Sequence, residues 1–352
     1  MAKTTLYQKF KAFERRLNTV NYHKLAEQSA LQALAKLELE RGKLDVSTKR
    51  TCDEYAQDVL GSSVYAPWLY VYSLVAGEFK EGWIPNNYYG KVVISALKSS
   101  YGDIASLKAF TRQLFKNSMF PDLVYRVNGL WLTTDNESIR EDEVADIIFN
   151  DVDKVVFKKD HSGRGKGVYI IEKNSFDKKC LSSLGNGVFQ RFIDQHQFFS
   201  SLMPNSVATL RLTTTVDDSG QVSVRTCNLR LGRSVDAHIK SESQLKIPIG
   251  IDSGVLYPDG YFSSWQTVKK HPDTQVPFQG KAIPGFNKCI SAALALQMSV
   301  PQVRCVGWDM IINSHDEVEV MEWNGAHNGI AFPEATQGPC FADLGWENLW
   351  RR

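Results

Sequence analysis

The sequence contains no uninterrupted apolar run near the roughly 20 residues that a membrane-spanning helix requires, so no membrane span is expected. Its six cysteines, Cys52, Cys180, Cys227, Cys289, Cys305 and Cys340, are scattered without any Cys-x-x-Cys pair. That spacing argues against a zinc site or a disulfide frame and suits free thiols in a reducing compartment. Neither sign of charge is in excess: the formal net charge is +2 over 352 residues, too balanced to imply nucleic acid as a partner. No Ser/His/Asp or Cys/His arrangement marks a nucleophile. The amino-terminal Met1-Ala2-Lys3-Thr4-Thr5-Leu6 lacks the apolar core of a signal peptide, and the expected location is the cytoplasm. What is present is an ordinary globular composition, 43% hydrophobic and 23% charged, long enough for two or three domains. Any positive site must be local.

Residues 5 to about 60 are rich in Leu, Ala, Lys, Glu and Gln, and apolar positions such as Leu31, Leu34 and Leu37 recur among polar ones. They read as two or three amphipathic helices without a chemical motif, either a helical cap or a dimer contact. Pro67 with Trp68, Tyr70 and Tyr72 suggests a packed junction, and Trp83 to Tyr89 a loop entering a further helix. A helix is expected from residue 103 to about Asn117, then strands Leu123 to Val127 and Leu130 to Thr133 around Asn128-Gly129. Beyond a short helix at Glu141 to Asn150 the pattern changes to period two, and only Pro284 to Met298 is clearly helical again. The arrangement is α+β, with antiparallel sheets carrying the chemistry.

The most informative stretch is Gly307-Trp308-Asp309-Met310-Ile311-Ile312-Asn313, then Ser314 to Glu317, then Val318-Glu319-Val320-Met321-Glu322-Trp323-Asn324. Two β-rich runs around a short polar segment predict an antiparallel hairpin. If Asn313 pairs with Val318, Asp309 lies across from Glu322, and period two adds Asn324 to the same face. Like charges set opposite each other repel by roughly 0.2 to 1 kcal/mol, and a hard divalent cation is the simplest remedy. A solvated surface hairpin is the competing reading. Trp308, Met310, Ile312, Met321 and Trp323 make the other face apolar, which favours an acidic face lining a cleft.

Val155 to Lys159, then Asp160-His161-Ser162-Gly163-Arg164-Gly165-Lys166-Gly167, then Val168 to Ile171 places three alternate glycines between two strands. A dinucleotide fingerprint or Walker-type loop leads from strand into helix. Here the loop returns into a strand, which makes a hairpin flap whose amides can approach phosphate oxygens, or else a plain turn. Lys158 enters the flap on a strand, and Lys108 lies upstream on a helix, either phosphate ligands or solvated lysines.

Lysine on a helix, lysine on a strand, glycine flap, hinge strand, then Asp and Glu-x-Asn on a terminal hairpin: this order resembles the ATP-grasp superfamily. Within it, the chain looks most like the ATP-grasp proteins associated with sugar transfer and polysaccharide biosynthesis. The resemblance covers about residues 80 to 340 and rests most on Gly307-Trp308-Asp309, Glu322-Trp323-Asn324 and Asn205 to Thr213. It implies an α+β ATP-grasp fold in which two antiparallel-sheet lobes clasp ATP. The boundaries it suggests are a helical region at 1–80, a helical pre-lobe at 81–120, a small lobe with the flap at 121–190 and a large lobe with the metal site at 191–352.

It further implies that Lys108 and Lys158 hold ATP phosphates beneath Ser162, Gly163, Arg164, Gly165, Lys166 and Gly167. Gln190, Arg191, Phe192 and Ile193 would form the hinge at the adenine, with His196 near the ribose. Arg211 would face the γ-phosphate, unless it is simply a cross-strand ion pair. Asp309, Glu322 and Asn324 would bind Mg2+, expected as two ions bridged by Glu322. Two places depart from the family pattern. Leu107 stands where an acidic residue often precedes the first lysine. After Arg230-Leu231-Gly232, the sequence Val235-Asp236-Ala237 lacks the usual paired glycines, which points to a substrate-specific loop carrying Asp236 beside Arg230.

The expected activity is ATP-dependent ligation of a small-molecule or sugar carboxylate to an amine through an acyl phosphate, in capsule or exopolysaccharide synthesis. Two alternatives stand beside it: a kinase acting on a hydroxyl in the same cleft, and a nucleotide-binding module that uses the amino-terminal helices as a partner or homo-oligomer surface.

Overall fold

The computed structural model describes residues 6–163, 165–177, 179–234 and 243–352. Arg164 and Asp236 therefore lie outside the described residues, and no helix among those described is long and apolar enough to cross a membrane. The chain divides into two compact units: Met1–Ala96 with Ser264–Gln266 and Gly329–Arg352, and Leu97–Ser263 with Thr267–Asn328. These do not follow a boundary at residue 80, because the chain returns twice to the helical unit.

In the first unit, α1 (Leu6–Arg41) buries Ala30, Ala33, Leu34 and Leu37, the i, i+3, i+4, i+7 stripe of an amphipathic helix. Leu31 falls off that stripe and is exposed. Asp45 caps α2 (Val46–Asp58), accepting from the Thr48 amide at 2.9 Å. The aromatic cluster after Pro67 is not a junction but a buried helix, α3 (Ala66–Ala76), apolar all round because neighbours cover every face. Glu334, in the helix Ala331–Gln337, is fully buried and accepts from the Ile84 and Cys340 amides, both at 2.7 Å.

The second unit holds two antiparallel sheets. The six-stranded sheet has the order β3-β2-β1-β6-β4-β5, from β1 (Asp122–Val127), β2 (Leu130–Thr133), β3 (Ser138–Ile139), β4 (Lys154–Lys159), β5 (Val168–Glu172) and β6 (Gly187–Arg191). The seven-stranded sheet runs β11-β10-β9-β8-β7-β12-β13, from β7 (Thr209–Val216), β8 (Val222–Leu231), β9 (Leu245–Pro248), β10 (Gly260–Phe262), β11 (Thr267–Val268), β12 (Cys305–Ile312) and β13 (Val318–Asn324). One face of the larger sheet packs Leu210, Leu212, Leu229 and Trp308 into a core with α4 (Phe286–Ser299). Alternation then turns Thr209, Arg211, Arg230 and Asp309 to the opposite face.

The expected helix at 103–117 is broken. A 3₁₀ turn at Ser99–Ser106 stops at Leu107, whose ψ of 85° is not helical; a second turn, Lys108–Phe110, then leads into the helix Thr111–Phe115. Asp160 causes the break, since its Oδ1 accepts from the Lys108 amide at 2.9 Å in place of a helix carbonyl.

The hairpin β12/β13 also differs at its turn. Ile312, not Asn313, faces Val318, and the register continues through Ile311↔Glu319 and Met310↔Val320. A bulge then leaves Met321 unpaired, so that Asp309↔Glu322, Trp308↔Trp323 and Gly307↔Asn324 fall opposite each other. Slip at the turn and bulge cancel at the site.

Candidate active site

A cavity of about 400 Å³ is lined by both sheets of the second unit. Period two builds each wall. On the smaller sheet, Lys158 faces Val168 and Val188, while Val156 faces Ile170 and Gln190, which gives an apolar floor ending in one ammonium. On the larger sheet, Arg211 faces Asp309, which faces Glu322. Among the described residues, five cationic side chains, Lys108, Lys158, Arg191, Arg211 and Arg230, line the cavity against two carboxylates, Asp309 and Glu322. Such an excess favours a polyanionic occupant.

Arg211 forms a cross-strand ion pair. Its Nε and Nη2 grip Asp309 Oδ1 and Oδ2 at 2.5 and 2.6 Å, a bidentate fork, while Arg230 Nη1 stands 3.8 Å from Oδ1. Burial alone would raise the Asp309 pKa, but Arg211 and Arg230 overcome it and hold the carboxyl at about 2. Burial lowers Arg230 to about 10, with Arg211 adding to the effect, and its Nε has no hydrogen-bond partner among the described residues. Lys108 Nζ lies 3.7 Å from Glu322 Oε2. The repulsion between Asp309 and Glu322 is thus already answered by protein cations, and a divalent ion is not the sole remedy.

The residues nonetheless fit Mg2+. Asn324 donates from Nδ2 to Gly307 O (3.2 Å) and Asp309 Oδ2 (3.3 Å), which leaves its Oδ1 as an acceptor. Glu322 is 37% exposed along its side chain, and its ion pair with Lys108 is loose. Among the described residues no three His, Cys, Asp or Glu side chains gather as a ready cage. Two carboxylates and an amide suit an ion that takes its remaining ligands from phosphate oxygens and water. Gly307 is needed for close approach: a Cβ there would lie 3.2 Å from Arg211 Cδ and Nη1 and 2.8 Å from Asn328 Cβ.

Lys158 donates to Met321 O at 3.0 Å, and burial pulls its ammonium below the usual lysine value, Lys108 adding and Glu322 opposing. The flap is a β4/β5 hairpin, with Ser162, Gly163 and Gly165 on the cavity wall. Gly167 is not on the wall; its carbonyl accepts from the Lys159 amide and closes the hairpin, and Lys166 is exposed. Gln190, Arg191, Phe192 and Ile193 all line the cavity. Gln190 is anchored on Asp122 Oδ1 at 2.7 Å and Arg191 on Glu319 Oε1 at 2.6 Å. His196 is not on the wall. Its Nδ1 accepts from the Phe198 amide to cap the helix Gln197–Leu202, and its Nε2 lies 3.5 Å from Asp316 Oδ1.

Two groups of residues escaped the sequence reading. Val156, Val168 and Ile170 share the face of Lys158, a signal that alternation already carried. Met321, expected on the apolar face, lines the cavity because the bulge re-aims it, and nothing local announces a bulge.

Residues 119–343 match the family described as sugar-transfer associated ATP-grasp. No curated protein matches this chain in sequence. Among solved structures, a Campylobacter jejuni biotin carboxylase in complex with beta-gamma-ATP is 11% identical at a TM-score of 0.46, covering 90% of this chain and 68% of that one. An L-amino acid ligase from Bacillus licheniformis is 11% identical at 0.39, covering 70% and 48%. An N5-carboxyaminoimidazole ribonucleotide synthetase in its ADP complex is 11% identical at 0.38, covering 62% and 44%. The chain spans about half the length of the ligase and the synthetase. With a family match over well more than half of its residues, and with a flap, a basic wall and an Asp/Glu-x-Asn hairpin around one cavity, the chain belongs to the sugar-transfer associated ATP-grasp family.

Proposed function

We propose that this protein is an ATP-dependent carboxylate-amine ligase that works through an acyl phosphate, joining a sugar carboxylate such as a uronic acid to an amine in capsule or exopolysaccharide synthesis. The observation that carries the reading is the cation-rich cavity in which Lys108 and Lys158 join a wall where Arg211, Asp309 and Glu322 face one another across paired strands, with Asn324 beside them. The sugar carboxylate is supported by the family's association with sugar transfer.

Asp309, Glu322 and Asn324 would hold Mg2+, which when bound supplies charge neutralisation along the phosphate tail. Lys108 and Lys158 bind the phosphates and orient them toward Arg211. Val156, Ile170 and Ile193 give the base an apolar seat beside the hinge. Arg211, fixed by Asp309, presents a preorganised positive charge where the transferred phosphoryl group gains negative charge. A carboxylate oxygen attacks the γ-phosphorus, the bond to the β-phosphate oxygen breaks and ADP leaves. An amine nitrogen, its proton lost to solvent, then attacks the acyl carbon, and phosphate departs with the C–O bond electrons. Positioning and charge do the catalysis, so no protein nucleophile is required.

The test is incubation with MgATP, a panel of uronic acids and amines, and hydroxylamine as a trap. Release of ADP and phosphate with formation of a hydroxamate is expected. Release of AMP and pyrophosphate would refute the acyl phosphate, and a phosphorylated sugar without hydroxamate would identify a kinase.

A further inference from the structure

Lys98 is 1% exposed, and an ammonium taken out of water must find acceptors to offset its lost hydration. It donates to Asn328 Oδ1 at 2.9 Å and to Ala326 O at 3.4 Å. Both acceptors belong to residues 325–328, an irregular stretch after β13 with no helix or strand bonds of its own. Ala326 and His327 on this stretch line the cavity. Asn328 turns its carbonyl the other way and accepts from Arg211 Nη1 at 3.0 Å. The guanidinium is therefore fixed from two sides, by Asp309 through Nε and Nη2 and by the Asn328 carbonyl through Nη1. The turn Ser99–Ser106, which begins one residue after Lys98, presses on the same stretch: a Cβ at Gly102 would lie 2.4 Å from Gly325 O.

We propose that Lys98 is the positioning residue for Arg211, acting through Asn328 to set the angle at which the guanidinium meets the terminal phosphate. Asp309 alone leaves the fork free to tilt about the carboxylate, and the third bond removes that freedom. Burial lowers the Lys98 ammonium to about 8, Cys305 opposing and Arg211 adding, so it is still charged at neutral pH. Lysine suits this place better than a neutral donor, because hydrogen bonds from a charged group are stronger than neutral ones.

The readout depends on the proposed contact between Arg211 and the γ-phosphate, and the test separates the two ideas. Calorimetry of the full chain with MgADP and with the magnesium complex of β,γ-imido-ATP gives an affinity ratio that reports the terminal phosphate alone. Lys98→Met should lower that ratio about tenfold, or about 1.4 kcal/mol, with MgADP affinity unchanged. In an Arg211→Lys background, which keeps the charge but loses Nη1, adding Lys98→Met should cost nothing further. An unchanged ratio in Lys98→Met, equal losses for both nucleotides, or an undiminished effect in the double variant would each overturn the positioning role alone. An unchanged ratio in Arg211→Lys would overturn the reading of Arg211 and this proposal with it. If Lys98→Met does not fold, Asn328→Ala keeps the carbonyl, removes Oδ1 and gives the same arms.

Discussion

Asp309 and Glu334 are both buried carboxylates, 6% and 0% exposed, yet their protons are held in opposite ways. Asp309 sits between two guanidinium groups and is held at about 2. Glu334 accepts from the backbone amides of Ile84 and Cys340 and from the Cys340 thiol, none of them a full charge, and burial outweighs them and pushes it up to about 7. Burial is common to both, so the difference lies in the charge of the partners. Full positive charges keep an acid ionised; neutral donors make it a stitch between two loops.

The largest effect should come from Asp309→Asn, which leaves the Arg211 cation buried without its anion. A loss of about 3–5 kcal/mol in denaturant unfolding is expected, together with loss of turnover. A stability within experimental error of the parent would show that Arg230 and the cavity do not feel the missing charge. Glu322→Gln acts on the same wall but on a half-exposed carboxylate. Turnover should fall by about 10²-fold or more with the unfolding midpoint unchanged, as for loss of one preorganised charge. Substantial residual turnover would take Glu322 out of the machinery.

Glu334→Gln should cost about 1–3 kcal/mol, because an amide NH2 now meets a backbone N–H. It sharpens the contrast through pH. A carboxyl whose folded pKa is raised gives its stabilisation fully below its unfolded pKa and loses it as pH rises through the folded value, here between about 4.5 and about 7. Asp309 is depressed, so its contribution is present above the unfolded value of 3.8 and is lost as pH falls toward about 2. Unfolding midpoints measured from pH 2 to pH 8 should lose their neutral slope in Glu334→Gln and keep the acid one. Persistence of the neutral slope would assign it elsewhere. The smallest effect expected is that of Lys158→Ala, a loss in MgATP affinity of about tenfold, or about 1.4 kcal/mol, by calorimetry. Unchanged affinity would remove Lys158 from the phosphate site.

Much of the active-site geometry was legible because it is periodic. Alternation along β12 and β13 put Asp309, Glu322 and Asn324 on one face, and the alternating flap announced a β4/β5 hairpin. Where side chains respond to distant partners, the sequence was silent. Lys98, in Ala96-Leu97-Lys98-Ser99-Ser100, looks like any surface lysine, and its acceptors on Ala326 and Asn328, 228 and 230 positions on, account for its burial. Nothing beside Glu334 in the sequence announces that the Ile84 and Cys340 amides enclose it. The helix expected across Leu107 fails for the same reason, since Asp160 takes the Lys108 amide. The return of residues 264–266 and 329–352 to the helical unit also leaves no local trace.

The bulge at Met321 does more than restore register. Its carbonyl, left out of the ladder between β12 and β13, is the atom on which Lys158 and Gln190 of the smaller sheet converge, at 3.0 and 3.4 Å. One surplus residue therefore serves as a mooring post: excising it would tidy the hairpin and cut the lines that tie β4 and β6 to the acidic hairpin.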